Sequence, residues 1–275
     1  MKKILALLMA GAMAVTALAG CGSTNNNSSD AEKAPSDWSY IADKGNMVIG
    51  ITYFEPMNYL VDGELTGFET EFATAVCEEL GVTPDFQEIE WESKEMELNA
   101  KTIDCIWNGL TITDDRKENM GISTPYMENK QVMVVKAENV DKFSTAEGVA
   151  GAKVVAEAGS AGEEVAKGEE FFANTEYIAA DSQAKALLEV KSGTADIAII
   201  DYVMSIGTLR DGSDYGDLSV VEAQSFAPEQ YGIAFRKGDT DTLAKVNDAI
   251  KKLADDGKLA EIAEKYNLKD LLLVK

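Results

Sequence analysis

The stretch from Asp104 to Arg116 reads DCIWNGLTITDDR, and the groups in it that could do chemistry are the hydroxyls of Thr111 and Thr113 and the guanidinium of Arg116. Two hydroxyls within three residues and a cation three residues later suit a small carboxylate or phosphate. The preceding run Cys105-Ile106-Trp107 is apolar and reads as a short buried strand, which Asn108-Gly109 breaks. Asp114 and Asp115 then occupy the first turn of a helix, where the macrodipole favours acids, and Thr113 is a fitting N-cap. A strand therefore runs through a glycine-bearing turn into a helix N-terminus, whose free N–H groups add to the same anion site. On spacing alone a plainer arrangement is equally good. Thr113 caps its helix and nothing more, and Arg116 pairs with Asp114 or Glu118 on a solvated face.

Composition removes several alternatives. The 275 residues allow two modest domains or one large one, and 45% hydrophobic content is ordinary for a folded chain. Twenty-five basic against 48 acidic residues give a net charge of −23, so no broad basic footprint for nucleic acid can form. There is no histidine, which excludes Ser-His-Asp, Cys-His and His-zinc chemistry; no metal or cofactor is expected.

The elements that must carry the site start after a leader. Lys2-Lys3 and the apolar run 4–18 form a secretory signal too short to span a membrane stably, assigned to residues 1–20. Leu18-Ala19-Gly20-Cys21 resembles the bacterial lipoprotein box, which implies acylation of Cys21 and an extracytoplasmic protein anchored by lipid to the cell membrane. Residues 21–37 then read as a flexible tether of Asn, Ser, Thr and Asp with nothing to bury. Strands are expected at 47–51, 85–91, 131–136, 152–156, 177–178, 195–201, 218–221 and 230–235. Phe68, Phe72, Val76 and Leu80 share one face of a helix over 67–81 that Gly81 caps, and further helices are expected at 96–100, from Glu163, at 181–192, at 240–255 and at 259–266. The order makes two α/β units, each with a Gly/Ser/Thr turn at a strand's C-terminal end, where ligands bind on such sheets.

In this arrangement the chain resembles the extracellular solute-binding proteins of bacterial polar amino-acid ABC importers. The resemblance rests on Gly67-Phe68-Glu69, Trp91, Asp104 through Arg116, Ser123-Thr124-Pro125-Tyr126, Ala158-Gly159-Ser160, Asp201 and Gln230 through Phe235. It covers nearly all of 47–266, and Gly-Leu-Thr-Ile-Thr-Asp-Asp-Arg is its most specific piece. It implies an α/β, periplasmic-binding-protein-like type II fold: two doubly wound lobes, 38–134 with 228–275 and 135–227, joined by strands crossing near 134–137 and 225–231 and closing on an amino acid like a hinged clamp. It further implies a monomer that docks on the permease subunits of an importer.

The resemblance also implies the roles in the site. Arg116 would bind the α-carboxylate as a fork, with Asn108, Gly109 and Thr111 completing the contacts to the amino-acid head. Backbone N–H groups at Ser160 and Ala161 would reach the carboxylate from the second lobe, and Asp201 would take the α-ammonium unless it merely caps a helix. Phe54 and Trp91 would sandwich the side chain, although Tyr53 competes with Phe54 for that place. Two departures from the family pattern stand out. The loop Ile51-Thr52-Tyr53 lacks the acid that relatives often carry, which loads amine recognition onto Asp201. Glu157 precedes the Ala158-Gly159-Ser160 turn, where it either favours a polar or cationic side chain or pairs with Lys153 in solvent. Cys77 and Cys105 could bond to each other outside the cytoplasm, but their apolar settings favour two buried thiols.

Two other functions share such a scaffold. A dehydratase of the prephenate or arogenate type needs an acid aimed at a leaving group, for which Glu157 is the candidate. A receptor's sensing lobe would be followed by a membrane span, and none follows here before Lys275.

Overall fold

The computed structural model describes residues 36–274; the signal segment, Cys21 and residues 22–35 of the tether lie outside them. Ser36 caps α1 (Asp37–Lys44) by accepting the Trp38 N–H, so the end of the expected tether is helical. The chain then makes β1 (Asn46–Ile51), the hairpin β2 (Tyr59–Val61) and β3 (Glu64–Thr66), α2 (Phe68–Leu80), β4 (Thr83–Glu88), α3 (Lys94–Asn99) and β5 (Cys105–Thr111). After α4 (Asp114–Asn119) come β6 (Met120–Ile122) and the long β7 (Met127–Lys136). The second set follows as α5 (Ala146–Val149), β8 (Lys153–Glu157), α6 (Ala161–Gly168), β9 (Glu176–Ala180), α7 (Gln183–Ser192), β10 (Ile197–Asp201), α8 (Tyr202–Thr208) and β11 (Leu218–Val220). The chain returns through β12 (Pro228–Arg236) to α9 (Thr240–Asp255) and α10 (Lys258–Lys265).

The strand order is β4-β1-β5-β12-β7-β10-β8-β9, with β6 added beside β12 and β11 beside β7. Each end is parallel, β1 with β4 and β5 and β8 with β9 and β10, as βαβ crossovers require. The middle is antiparallel: residues 127–130 of β7 face 228–231 of β12, and residues 131–134 of β7 already pair with β10. Two strands thus join two lobes. The first crossing lies at 127–130, not at the expected 134–137, because hydrogen bonding to the second lobe's sheet begins at Gln131.

Period-two alternation assigns the faces. Cys105 and Trp107 point to the α2 side, where Phe72 meets Trp107 edge-on at 5.0 Å, while Ile106 and Leu110 join Trp91, Leu98 and Ile103 on the other side. That edge contact contributes about 0.5–1.5 kcal/mol beyond burial. In the second lobe Val132, Val134, Ala198 and Ile200 face α7, and Met133, Val135, Ile197 and Ile199 face Phe143, Phe172 and Phe226. Cys77 and Cys105 are free and fully buried, and burial pushes the Cys77 thiol up to about 12 and Cys105 well above its ordinary value.

Asn108-Gly109 does not end β5, contrary to the expected break. The strand continues to Thr111 with Gly109 at φ +55°, and the pairing with β12 shifts register beside it, between Gly232 and Ala234. Glu69 makes this possible by accepting the Gly109 N–H at 2.8 and 3.1 Å. The Phe54 ring leaves no room for a Cβ at Gly109, which would lie 2.8 Å away.

Candidate functional site

Where β5 runs out of the sheet, Thr113 caps α4 and turns Arg116 inward. Its guanidinium is buried, donating to the Thr111 carbonyl at 2.7 Å and, across the cleft, to the Gly159 carbonyl at 3.2 Å. The solvated pairing with Asp114 or Glu118 does not form. From the second lobe, β8 ends at Glu157, a tight turn with Gly159 at φ +70° follows, and Ser160 caps α6 by accepting the Glu163 N–H.

Trp91, Asn108, Gly109, Thr111, Arg116, Glu157, Ser160, Ala161, Gln183 and Asp201 line one enclosed cavity between the lobes. Only about 10 Å³ of it takes the centre of a water-sized sphere. That is room for about one water, so the lobes must part to admit anything larger. A wider groove of about 610 Å³ runs outside, along the strand crossing past Tyr202, Phe226 and Pro228. Converging charged groups, not volume, single out the smaller cavity.

Nine of the ten residues expected from the sequence line it. Phe54 does not; it is buried against Gly109, just behind the wall, while Tyr53 is 37% exposed. Several roles differ in detail from those expected. The Asn108 amide holds the β1 loop, accepting from the Thr52 N–H at 2.9 Å and donating to Thr52 Oγ1 at 2.6 Å. The Thr111 hydroxyl donates to Glu229 Oε2 at 3.1 Å. The Ser160 N–H is spent on the Glu157 carbonyl at 3.2 Å, which leaves Ala161 and the next residue to present the unsatisfied N–H groups of the α6 N-terminus.

Asp201 caps no helix with its side chain. Its carboxylate instead accepts from Asn129 at 2.5 Å, from Gln131 at 2.8 Å and from Gln183. Burial pushes it above the ordinary carboxylate range, and these amides pull the other way. Glu157 is 4% exposed, and its Oε1 has no hydrogen-bond partner among the described residues. Burial, then the Asp201 charge, pushes its carboxyl up to about 8, against the pull of Lys94 and Gln183. The expected pairing with exposed Lys153 is absent. A buried carboxyl oxygen left unsatisfied beside a cavity is costly unless a ligand donates to it.

Sequence reasoning missed Gln183, Glu229 and the positioning role of Glu69. Gln183 sits one residue past the Ser182 cap of α7, at the mouth of β9, so the strand-end rule that located Ser160 would have located it too. Glu69 is fully buried, is bonded by Tyr126, Asn58 and the Gly109 N–H, and is pushed up to about 7 by burial. Nothing local in the sequence marks it as a partner of Gly109.

Known proteins similar to this chain share one theme. A model of the family described as bacterial extracellular solute-binding proteins, family 3, matches residues 47–269. The L-cystine-binding protein TcyA of Bacillus subtilis (strain 168) is 30% identical over 270 residues, covering 96% of this chain and 97% of its own length. The L-arginine-binding protein of Pseudomonas aeruginosa is 31% identical over 210 residues, covering 74% of this chain and 80% of its own. Among solved structures, an ABC uptake transporter substrate binding protein from Streptococcus pneumoniae with bound histidine superposes with a TM-score of 0.77 at 32% identity, covering 86% of this chain and 98% of that one.

Proposed function

This chain belongs to the bacterial extracellular solute-binding proteins, family 3, and on that premise we propose that it captures one free amino acid between its lobes and delivers it to an ABC permease. The observation that carries this is the meeting, in one closed cavity, of a cation from the first lobe with a helix N-terminus and two carboxyl groups from the second. Arg116 and the N–H groups at Ala161 bind the α-carboxylate, and Asp201, steadied by Asn129, Gln131 and Gln183, binds the α-ammonium. Trp91 covers the side chain, and Gly109 lets the backbone approach the head group. Phe54 backs Gly109 from behind.

Glu157 selects the side chain. Its unpartnered Oε1 favours a hydrogen-bond donor and, once the carboxyl is ionised, a cation over Asp or Glu. The ligands named for the three relatives above, cystine, arginine and histidine, all end in groups that can donate a hydrogen bond or carry positive charge. The first lobe takes residues 38–130 and 228–274 and the second 131–227, the division following the strand crossing. The lipoprotein-box sequence supports tethering to the outer face of the cell membrane through acylated Cys21.

Calorimetry of the purified, ligand-stripped chain against the twenty amino acids, ornithine and cystine tests this. One-to-one saturable binding of one or a few is expected, with micromolar affinity corresponding to about −8 kcal/mol. Binding of none contradicts it. Glu157, held protonated near neutrality, also favours a second reading, a dehydratase that protonates a leaving group. Turnover of prephenate or arogenate would establish that reading.

A further inference from the structure

Lys94 is a buried ammonium that the roles above leave unused. It is 5% exposed at the start of α3, where the helix dipole disfavours a cation, so local structure does not account for it. Its Nζ donates to the Trp91 carbonyl at 3.2 Å in its own lobe and to the Gly159 carbonyl at 2.9 Å in the other. The ammonium also lies 4.8 Å from the centre of the Trp91 ring, the wall of the cavity. Burial, then the charge of Arg116, pushes its pKa down to about 8. Gly159 is pressed against this segment so closely that a Cβ would lie 3.2 Å from Glu92 Cα and 3.4 Å from Lys94 Nζ.

Two first-lobe cations, Lys94 and Arg116, thus hold one second-lobe carbonyl, in the turn that starts α6. They are not equivalent. Arg116 lines the cavity and has an incoming carboxylate to bind, whereas Lys94 does not line it and spends its hydrogen bonds on two carbonyls, with the Trp91 ring beside it. We propose that Lys94 is a positioning residue for capture: it fastens the Gly159 carbonyl across the cleft, so that Arg116 can turn to the ligand while the α6 N-terminus stays opposite it. Lys94 sets how long the closed form lasts without touching the ligand. The inference rests on the capture reading above.

Stopped-flow and calorimetric binding of L-arginine, L-histidine and L-cystine to wild type, Lys94→Met and Lys94→Arg tests it. Losing a charge-assisted interlobe bond is expected to speed ligand dissociation about tenfold or more in Lys94→Met. Association should stay within about twofold, and the melting temperature of the ligand-free protein should not change. Lys94→Arg should recover part of the loss. An unchanged dissociation rate overturns the inference. So does a slowed dissociation, or a ligand-free melting temperature lowered as much as that of the complex, since the residue would then serve folding alone. Failure of wild type to bind all three probes in this experiment and any amino acid in the wider panel would overturn the capture reading itself, which separates the two failures.

Discussion

Asp201 and Glu229 are held by the same two amides. Asn129 Nδ2 lies 2.5 Å from Asp201 Oδ1 and 3.1 Å from Glu229 Oε2, and Gln131 Nε2 lies 2.8 and 3.0 Å from the same two oxygens. Asn129, Gln131 and Glu229 all sit on the crossing strands, so Asp201, the carboxylate proposed to take the ammonium, is wired to the hinge. Asp201→Asn keeps the shape and removes the charge, and is expected to weaken amino-acid binding about a hundredfold by calorimetry. Glu229→Gln, one residue further from the ligand, should cost less than Asp201→Asn. Equal losses would place Glu229 in direct ligand contact.

Glu157 makes cation binding depend on pH. Burial and then the Asp201 charge push its carboxyl up to about 8, with Glu90 adding to the rise and Lys94 opposing it. A guanidinium against Oε1 needs the ionised form, so binding expels a proton. Affinity for L-arginine should therefore rise with pH below about 8, by up to tenfold per unit, and flatten above it. Glu157→Gln should abolish the slope and narrow the preference for L-arginine over L-glutamine. A slope that survives the substitution assigns it to another group.

Gly109 carries a backbone conformation and a close approach at once. Gly109→Ala forces a Cβ to within 2.8 Å of the Phe54 ring at φ +55°. The substitution should cost about 2 kcal/mol of stability and lower the melting temperature by about 5 °C. An unchanged melting temperature would mean that the Phe54 ring gives way freely.

The thiols of Cys77 and Cys105 should be inert in the folded protein, because both are fully buried with raised pKa values. A thiol-specific chromogenic reagent should react with them only after denaturation. Rapid reaction of either in the native state would contradict the packing of α2 on β5.

How much of this could be read in the sequence follows the range of the interactions. Thr113 capping α4 and Gly81 ending α2 are local events, and the residue types announce them. The strand-to-helix turns ahead of Arg116 and Ser160 were local in the same way, but spacing left the role of Arg116 open and the family resemblance supplied both residues' places in the site. Asn108-Gly109 misled because its turn propensity is local, whereas Glu69 and β12 sustain the strand from far away in sequence. Helix α8 entered only as the alternative in which Asp201 caps a helix, since YVMSIGT is rich in weak helix formers, and burial of Val203 and Met204 decides it. Lys94, Gln183 and Glu229 act across the cleft or the hinge, between elements whose meeting no local pattern encodes.

Calorimetry of the amino acid that binds wild type, repeated on Arg116→Ala and Asp201→Ala, tests the central claim most directly. The account predicts that each variant folds and loses at least about a hundredfold in affinity, since each removes one of the charged groups that grip the ligand's head. Wild-type affinity in a folded Arg116→Ala protein would contradict it, and would move the binding site out of this cavity.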